Sequence, residues 1–251
     1  MAGQIYITGD CHTDFRRFNT EIFTEQKGMD KEDYVIICGD AGITWADDKE
    51  MRYWQKWLND KPFTTLFVDG NHENFDLLNA YPVEEWHGGK VHRIRDSVFH
   101  LMRGQVFDIC GKKIFTFGGA RSHDIDGGIL EPEDKNFKLK QKRMEKQRVL
   151  YRINHINWWK EEMATEEEFE EGRKNLNARD WTVDFIVTHC CSTATQNRLS
   201  DGGYEVDALT DFLDEIKEKC TFRKWFFGHY HDNQNVSEKE ILLYEQMIRI
   251  C

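Results

Sequence analysis

The sequence has no long apolar run, which excludes a helix that spans a bilayer. It also lacks a basic and then apolar leader: Met1-Ala2-Gly3-Gln4 runs straight into a strand-like stretch, so no signal peptide is expected. Net positive charge is missing too, since 34 Lys and Arg stand against 45 Asp and Glu, a formal −11. That balance argues against broad non-specific binding to nucleic acid or to anionic membrane. An acidic protein that handles phosphates needs local cations, and metal ions would serve. The seven cysteines (Cys11, Cys38, Cys110, Cys190, Cys191, Cys220 and Cys251) are an odd number and contain no CxxC pair. They fit reduced thiols, and hence a cytoplasmic location, better than a disulfide framework or a zinc finger. No repeat, low-complexity tract or linker divides the chain, so a single domain over residues 1–251 is expected.

What is present is a series of short apolar runs that end alike. Ile5 to Thr8, Tyr34 to Cys38, Thr64 to Val68 and Val183 to Thr188 read as buried strands. Helical spacing follows the first three: Phe15 to Phe23, Lys49 to Asn59 with Met51, Trp54, Trp57 and Leu58 on one face, and a short piece from Phe75 to Leu78. Strand, loop and helix in repetition is the pattern of a parallel sheet covered on both faces. From Val91 the grain changes to Val91–Ile94, Val98–Met102, Gln105–Ile109 and Lys113–Phe117, which predicts a second sheet with antiparallel content and a hairpin turn at Gly111-Lys112. Residues 131–180 are charged and helix-prone, basic first and acidic later. They read as a helical insertion: either a solvated pair whose opposite charges face each other or water, or a lid that meets a phosphate-rich ligand. Trp158-Trp159 would dock this segment on the body or stack a base.

Each strand is closed by residues with ligand chemistry. Phe226-Phe227 leads into Gly228-His229-Tyr230-His231, where two imidazoles at i, i+2 project from one face of an extended segment. Earlier strand ends carry Asp10, His12, Asp40, Asn71, His72 and His189. In an open α/β sheet the loops at the carboxyl ends of parallel strands converge on one crevice, so these residues are expected to be close in space. Carboxylates, imidazoles and one amide, with no thiolate needed, suit two divalent ions such as Mn²⁺, Fe²⁺ or Zn²⁺. The histidines exclude an all-oxygen calcium cage. Two such ions about 3.5–4 Å apart clamp a phosphoryl group and acidify a shared water. One carboxylate must bridge them, and Asp40, in the middle of the series, is the natural candidate.

Asp10-Cys11-His12, Gly39-Asp40, Gly70-Asn71-His72-Glu73, Thr188-His189 and Gly228-His229-Tyr230-His231 closely resemble the five blocks of the calcineurin-like metallophosphoesterases, in that family's order. Gly118-Gly119-Ala120-Arg121-Ser122-His123-Asp124, with Trp158-Trp159 and the charged helix, is similar to bacterial and phage-associated members. The resemblance implies a four-layer α/β/β/α sandwich of two mixed sheets flanked by helices, and a dinuclear centre. It puts one ion on Asp10, His12, Asp40 and His231, and the other on Asp40, Asn71, His189 and His229. His72 would be the unligated histidine that binds phosphoryl oxygens or protonates the leaving group. The implied activity is hydrolysis of a phosphoester by a metal-bridging hydroxide, on a nucleotide or nucleic-acid phosphodiester, with a phosphomonoester as the alternative. A non-catalytic metal-binding scaffold is the rival from another class. Mn²⁺ is the first expectation for the metal, with Fe²⁺, Zn²⁺ or Ni²⁺ as the others.

The chain departs from the pattern at one place. Many members carry a second aspartate where this sequence has Ile43 in Gly39-Asp40-Ala41-Gly42-Ile43, and isoleucine cannot hold an imidazole. Arg121, in a glycine-flanked strand-end loop, is the first choice for a protein cation on the substrate phosphate, with His123 beside it and Asp124 and Arg103 behind.

Overall fold

The computed structural model describes residues 3–251. The chain opens with β1 (Ile5–Thr8), β2 (Tyr34–Ile37), α1 (Lys49–Asn59), β3 (Thr64–Phe67) and α2 (Phe75–Leu78). Five strands follow: β4 (Val83–Trp86), β5 (Gly89–Arg95), β6 (Val98–Leu101), β7 (Gln105–Ile109) and β8 (Lys112–Phe117). A short ribbon of β9 (Ile129–Leu130) and β10 (Arg152–Ile153) encloses α3 (Phe137–Gln147), and α4 (Glu166–Asn177) comes next. The rest comprises β11 (Phe185–Thr188), α5 (Thr193–Ser200), α6 (Ala208–Lys219), β12 (Lys224–Phe227), β13 (Gln234–Asn235), β14 (Glu240–Leu242) and β15 (Met247–Arg249).

Two mixed sheets result. One has the order β15-β1-β2-β3-β6-β5-β4, with β1, β2, β3 and β6 parallel and antiparallel strands at both edges. The other has the order β13-β14-β12-β11-β8-β7, with β14, β12, β11 and β8 parallel. Side chains alternate across each strand, so each sheet must bury two faces. Ile5, Ile7, Tyr34, Ile36 and Leu66 meet Phe107, Ile114, Phe185, Val187 and Phe226 between the sheets. Tyr6, Val35, Ile37 and Phe67 point the other way, under Phe15, Phe18, Leu58 and Phe63. Phe115, Phe117, Ile186 and Phe227 lie under Phe169 of α4 and Phe212, Leu213 and Ile216 of α6. Three apolar interfaces make four layers, the sandwich the resemblance implies.

Three local expectations are revised. Phe15, Phe18 and Phe23 are buried, but the segment forms a 3₁₀ turn over Arg16–Phe18 rather than a helix. Arg17 turns back from it and donates to Thr8 Oγ1 and to the carbonyls of Gly9, Asp10 and Tyr244, which ties the segment to the end of β1. The β7–β8 turn is Cys110-Gly111, both at positive φ (52° and 69°), a geometry that matches strand twist, and Lys112 is already paired with Ile109. The run of short strands after Val83 is shared between the sheets: β4, β5 and β6 extend the first, β7 and β8 the second.

The helices of residues 131–180 do not face each other's charges. α3 buries no residue and lies on the ribbon, where Lys140 pairs with Asp134. α4 docks on the second sheet through Phe169 and Leu176, and its acids meet Lys90, Arg103 and Arg173.

Arg103 also enters the interior. Its guanidinium donates to Asp69 at 2.9 and 2.5 Å, to Glu168 at 3.0 Å and to the Glu161 carbonyl at 2.7 Å. His100 Nε2 lies 3.0 Å from the other Asp69 oxygen. Burial works against ionising Asp69, but Arg103 and His100 outweigh it and hold the carboxyl well below the usual range. Asp69 immediately precedes Gly70-Asn71-His72, so this network fixes the base of that loop. Arg103→Met strands a buried carboxylate and is expected to cost about 3–5 kcal/mol in urea unfolding; a loss below about 1 kcal/mol would show that Arg103 is not what compensates Asp69.

Candidate metal centre

The ends of β1, β2, β3, β11 and β12 meet over the seam between the sheets, and the loops that leave them are strained. His12, Asp40, His229 and His231 have φ of 46°, 45°, 71° and 50°, in the left-handed region that costs L-residues energy. Two glycines show why the loops need it. A Cβ on Gly70 would lie 2.0 Å from Asp40 Oδ1, and one on Gly228 would lie 2.1 Å from Asp10 Oδ1. Each glycine lets a carboxylate from another strand close against the backbone.

Asp10, Asp40 and His189 have almost no exposed surface, and Asn71 has little. Asp10 accepts the His229 amide, and Asp40 Oδ1 accepts the His72 amide at 2.7 Å. Asp40 Oδ2 lies 3.8 Å from His12 Nε2 and 3.4 Å from His189 Nε2, between imidazoles that come from two different loops. His12 and His231 bring Nε2 atoms within 3.0 Å of each other, and Asp10 Oδ2 is 3.2 Å from that of His231. His189 Nδ1 donates to the Cys38 carbonyl at 2.7 Å, which leaves Nε2 facing Asp40 and, at 3.2 Å, Asn71 Oδ1. His229 Nε2 is 3.3 Å from His123 Nε2, and the His189 and His229 rings are 5.0 Å apart. Among the described residues, two groups of acidic, His or Cys side chains have donor atoms all within 4.8 Å of one another: Asp10, His12 and His231; and Asp10, Asp40 and His189. Buried carboxylates around lone-pair nitrogens are a donor set that divalent cations fit.

Burial opposes charging His189, yet Asp40 and Asp10 push it up to about 10. Burial equally opposes ionising Asp40, but His189, His72 and His12 hold its carboxyl far below the usual range. Burial drives His229 down, and its neighbours His189 and His123 drive it further.

Asn71 is oriented from behind. Its amide donates to Ser122 Oγ at 3.3 Å, and Ser122 donates through Oγ and its backbone N–H to the two oxygens of Glu162, at 2.6 and 3.0 Å. The amide oxygen is thereby left for the centre.

The centre opens on a cavity of about 260 Å³ lined by Asn71, His72, His123, Asp124, Tyr204 and Tyr230 among others. His123 stacks on Tyr204, with centroids 4.4 Å apart. Arg121, singled out from the sequence for the substrate phosphate, pairs instead with Glu205 at 2.6 Å. The cation that reaches His72 is Arg152, which the sequence showed only as one member of a basic run. Neither it nor the Ser122–Glu162 support carries a linear signal, because each partner lies 28 or more residues away. Trp159 is a docking residue: it is 1% exposed, packs edge-on against Trp45 and donates to Asp76 at 2.7 Å.

The calcineurin-like phosphoesterase family model matches residues 3–233. The chain belongs to that family. Lariat debranching enzyme A of Xenopus laevis is 24% identical to this phosphoesterase over 144 residues, 51% of this chain and 26% of that protein, so the chain spans about a quarter of its relative's length.

Burial raises Glu162 from 4.5 to about 6, against the pull of its Ser122 hydrogen bonds. Its proton is held more tightly in the folded than in the unfolded chain, so stability falls as pH rises from about 4.5 to 6, and the carboxylate then costs about 2 kcal/mol. Glu162→Gln should remove that slope from the stability–pH profile; an unchanged slope would assign it to another group.

Proposed function

We propose that this phosphoesterase holds two divalent ions, one on Asp10, His12, Asp40 and His231 and the other on Asp40, Asn71, His189 and His229, and that it hydrolyses a phosphodiester of a nucleotide or nucleic acid. The observation that carries the reading is Asp40 Oδ2 between His12 Nε2 and His189 Nε2, where one oxygen faces both proposed ligand sets. Ions held by these residues would supply an acidified water as nucleophile and would offset the charge of the phosphoryl oxygens. Mn²⁺ suits the mixed oxygen and imidazole donors, with Fe²⁺, Zn²⁺ or Ni²⁺ as alternatives. The seven free thiols favour a reducing compartment such as the cytoplasm.

The chain's own groups have distinct tasks in this reading. Asp10 and Asp40 are fixed by backbone amides, so the ligand oxygens are set before an ion arrives. His72 touches the phosphoryl oxygens. Burial depresses its pKa, and the nearby Arg152 and His12 push the same way against the pull of Asp40, which favours a neutral imidazole over a strong acid. Ile43 leaves its ring without the usual carboxylate partner, and a diester with a good leaving group tolerates a weak acid best. The stacked pair of exposed His123 and half-buried Tyr204, both lining the cavity, favours a substrate that carries a base. The partial likeness to an enzyme that debranches lariats supports a diester of that kind.

Metal-stripped protein reloaded with Mn²⁺ should hydrolyse bis-p-nitrophenyl phosphate faster than p-nitrophenyl phosphate, and Asp40→Asn should lose bound metal and activity together. Two ions retained in Asp40→Asn would sink the bridging assignment, and a preference for the monoester would select the phosphatase reading. His72→Ala should keep both ions while turnover drops by about 10²-fold; unchanged rates on substrates with poor leaving groups would remove its role.

A further inference from the structure

We propose that Arg152 is a phosphate-binding residue, and that Asp124 occupies its guanidinium until a non-bridging phosphate oxygen of the substrate takes that place. The inference rests on the hydrolase reading above and assigns one more subsite within it. Arg152 is the first residue of β10, whose pairing with β9 is parallel and in register at Ile129 and Leu130. Its side chain is only 15% exposed, and it donates through Nε at 2.8 Å and Nη2 at 2.5 Å to the two oxygens of Asp124, which lines the cavity. Nη2 also lies 3.4 Å from Nε2 of His72, and Nη1 donates to the Asn157 carbonyl at 3.3 Å. One guanidinium therefore touches both an acid and an imidazole of the cavity wall.

The fork that clasps a carboxylate through two parallel N–H bonds has the same geometry for two phosphate oxygens. A carboxylate 39% exposed at the cavity mouth is an exchangeable occupant, since water can take it over when the anion arrives. The guanidinium itself is held. Ile153 N–H donates to Asn157 Oδ1 at 2.6 Å. A few residues on, His155 and Trp159 both reach Asp76 in α2, which follows the His72 loop directly. The ribbon is thus anchored to the helix that directly follows the His72 loop, and a pre-positioned cation loses little freedom when it binds. Arg121, tied to the exposed Glu205, has no such contact with the imidazole.

The test uses full-length, Mn²⁺-loaded protein with inorganic phosphate as the probe, measured by calorimetry and as competitive inhibition, with metal content determined for every variant. Arg152→Met should weaken phosphate binding at least 10-fold at unchanged metal content, and Arg152→Lys should fall between the two, because a lysine keeps the charge and loses the fork. Asp124→Asn should bind phosphate at least as tightly as the parent, because the competing carboxylate is gone. This opposite response separates a ligand cation from a clip that merely fastens β10: equal weakening in Arg152→Met and Asp124→Asn overturns the proposal, as does parental phosphate affinity in Arg152→Met. Phosphate binding that depends on Arg152 in protein without Mn²⁺-dependent hydrolysis would uphold the subsite and defeat the hydrolase reading. Hydrolysis that proceeds with phosphate affinity indifferent to Arg152 would do the reverse.

Discussion

Two carboxylates with almost no contact with water, Asp10 and Asp40, dictate much of what surrounds them. Buried charge is tolerated only where hydrogen-bond donors and opposite charge are already in place. The backbone amides of His229 and His72 supply the donors, and the imidazoles of His12, His189 and His231, from three loops, supply partners that are protonated or can take a shared cation. The glycine before Asn71 and the glycine before His229 exist in this arrangement because a methyl group there would occupy the carboxylate's position. Strained backbone at His12, Asp40, His229 and His231 is the cost of aiming side chains from parallel strands at one point.

A second tier of polar contacts holds that tier. Asp69 grips Arg103 below the Asn71 loop, and Arg103 in turn holds the Glu161 carbonyl and α4. The next residue, Glu162, orients Asn71 through Ser122. The stretch that looks like a charged appendage thus reaches the centre at Glu162 and at Arg152, while α3, with no buried side chain, is its solvated part. Docking of this stretch and geometry of the centre are one problem, since the same short loop is pulled from both sides.

The α1 boundaries, the parallel strands and the gathering of Asp, Asn and His residues at the carboxyl ends of strands were legible because they rest on periodicity and on residues adjacent in the chain. The Phe15–Phe23 stretch shows the limit: apolar spacing marked the buried face, but Arg17 turning back to the β1 carbonyls decided the backbone. The division of the antiparallel strands between two sheets was likewise invisible, because a hairpin's local signal is the same whichever sheet it joins.

The sequence by itself determined the family blocks, the donor chemistry and the order of strand ends, all of which follow from short-range pattern and residue type. Only the tertiary structure decided which cation meets which anion. Arg121 and Arg152 are equivalent in composition, and what separates them is that one folds against Glu205 and the other is brought by β10 to Asp124 and His72. Such choices depend on pairings across 28 to 84 residues, where distance along the chain says nothing about distance in space.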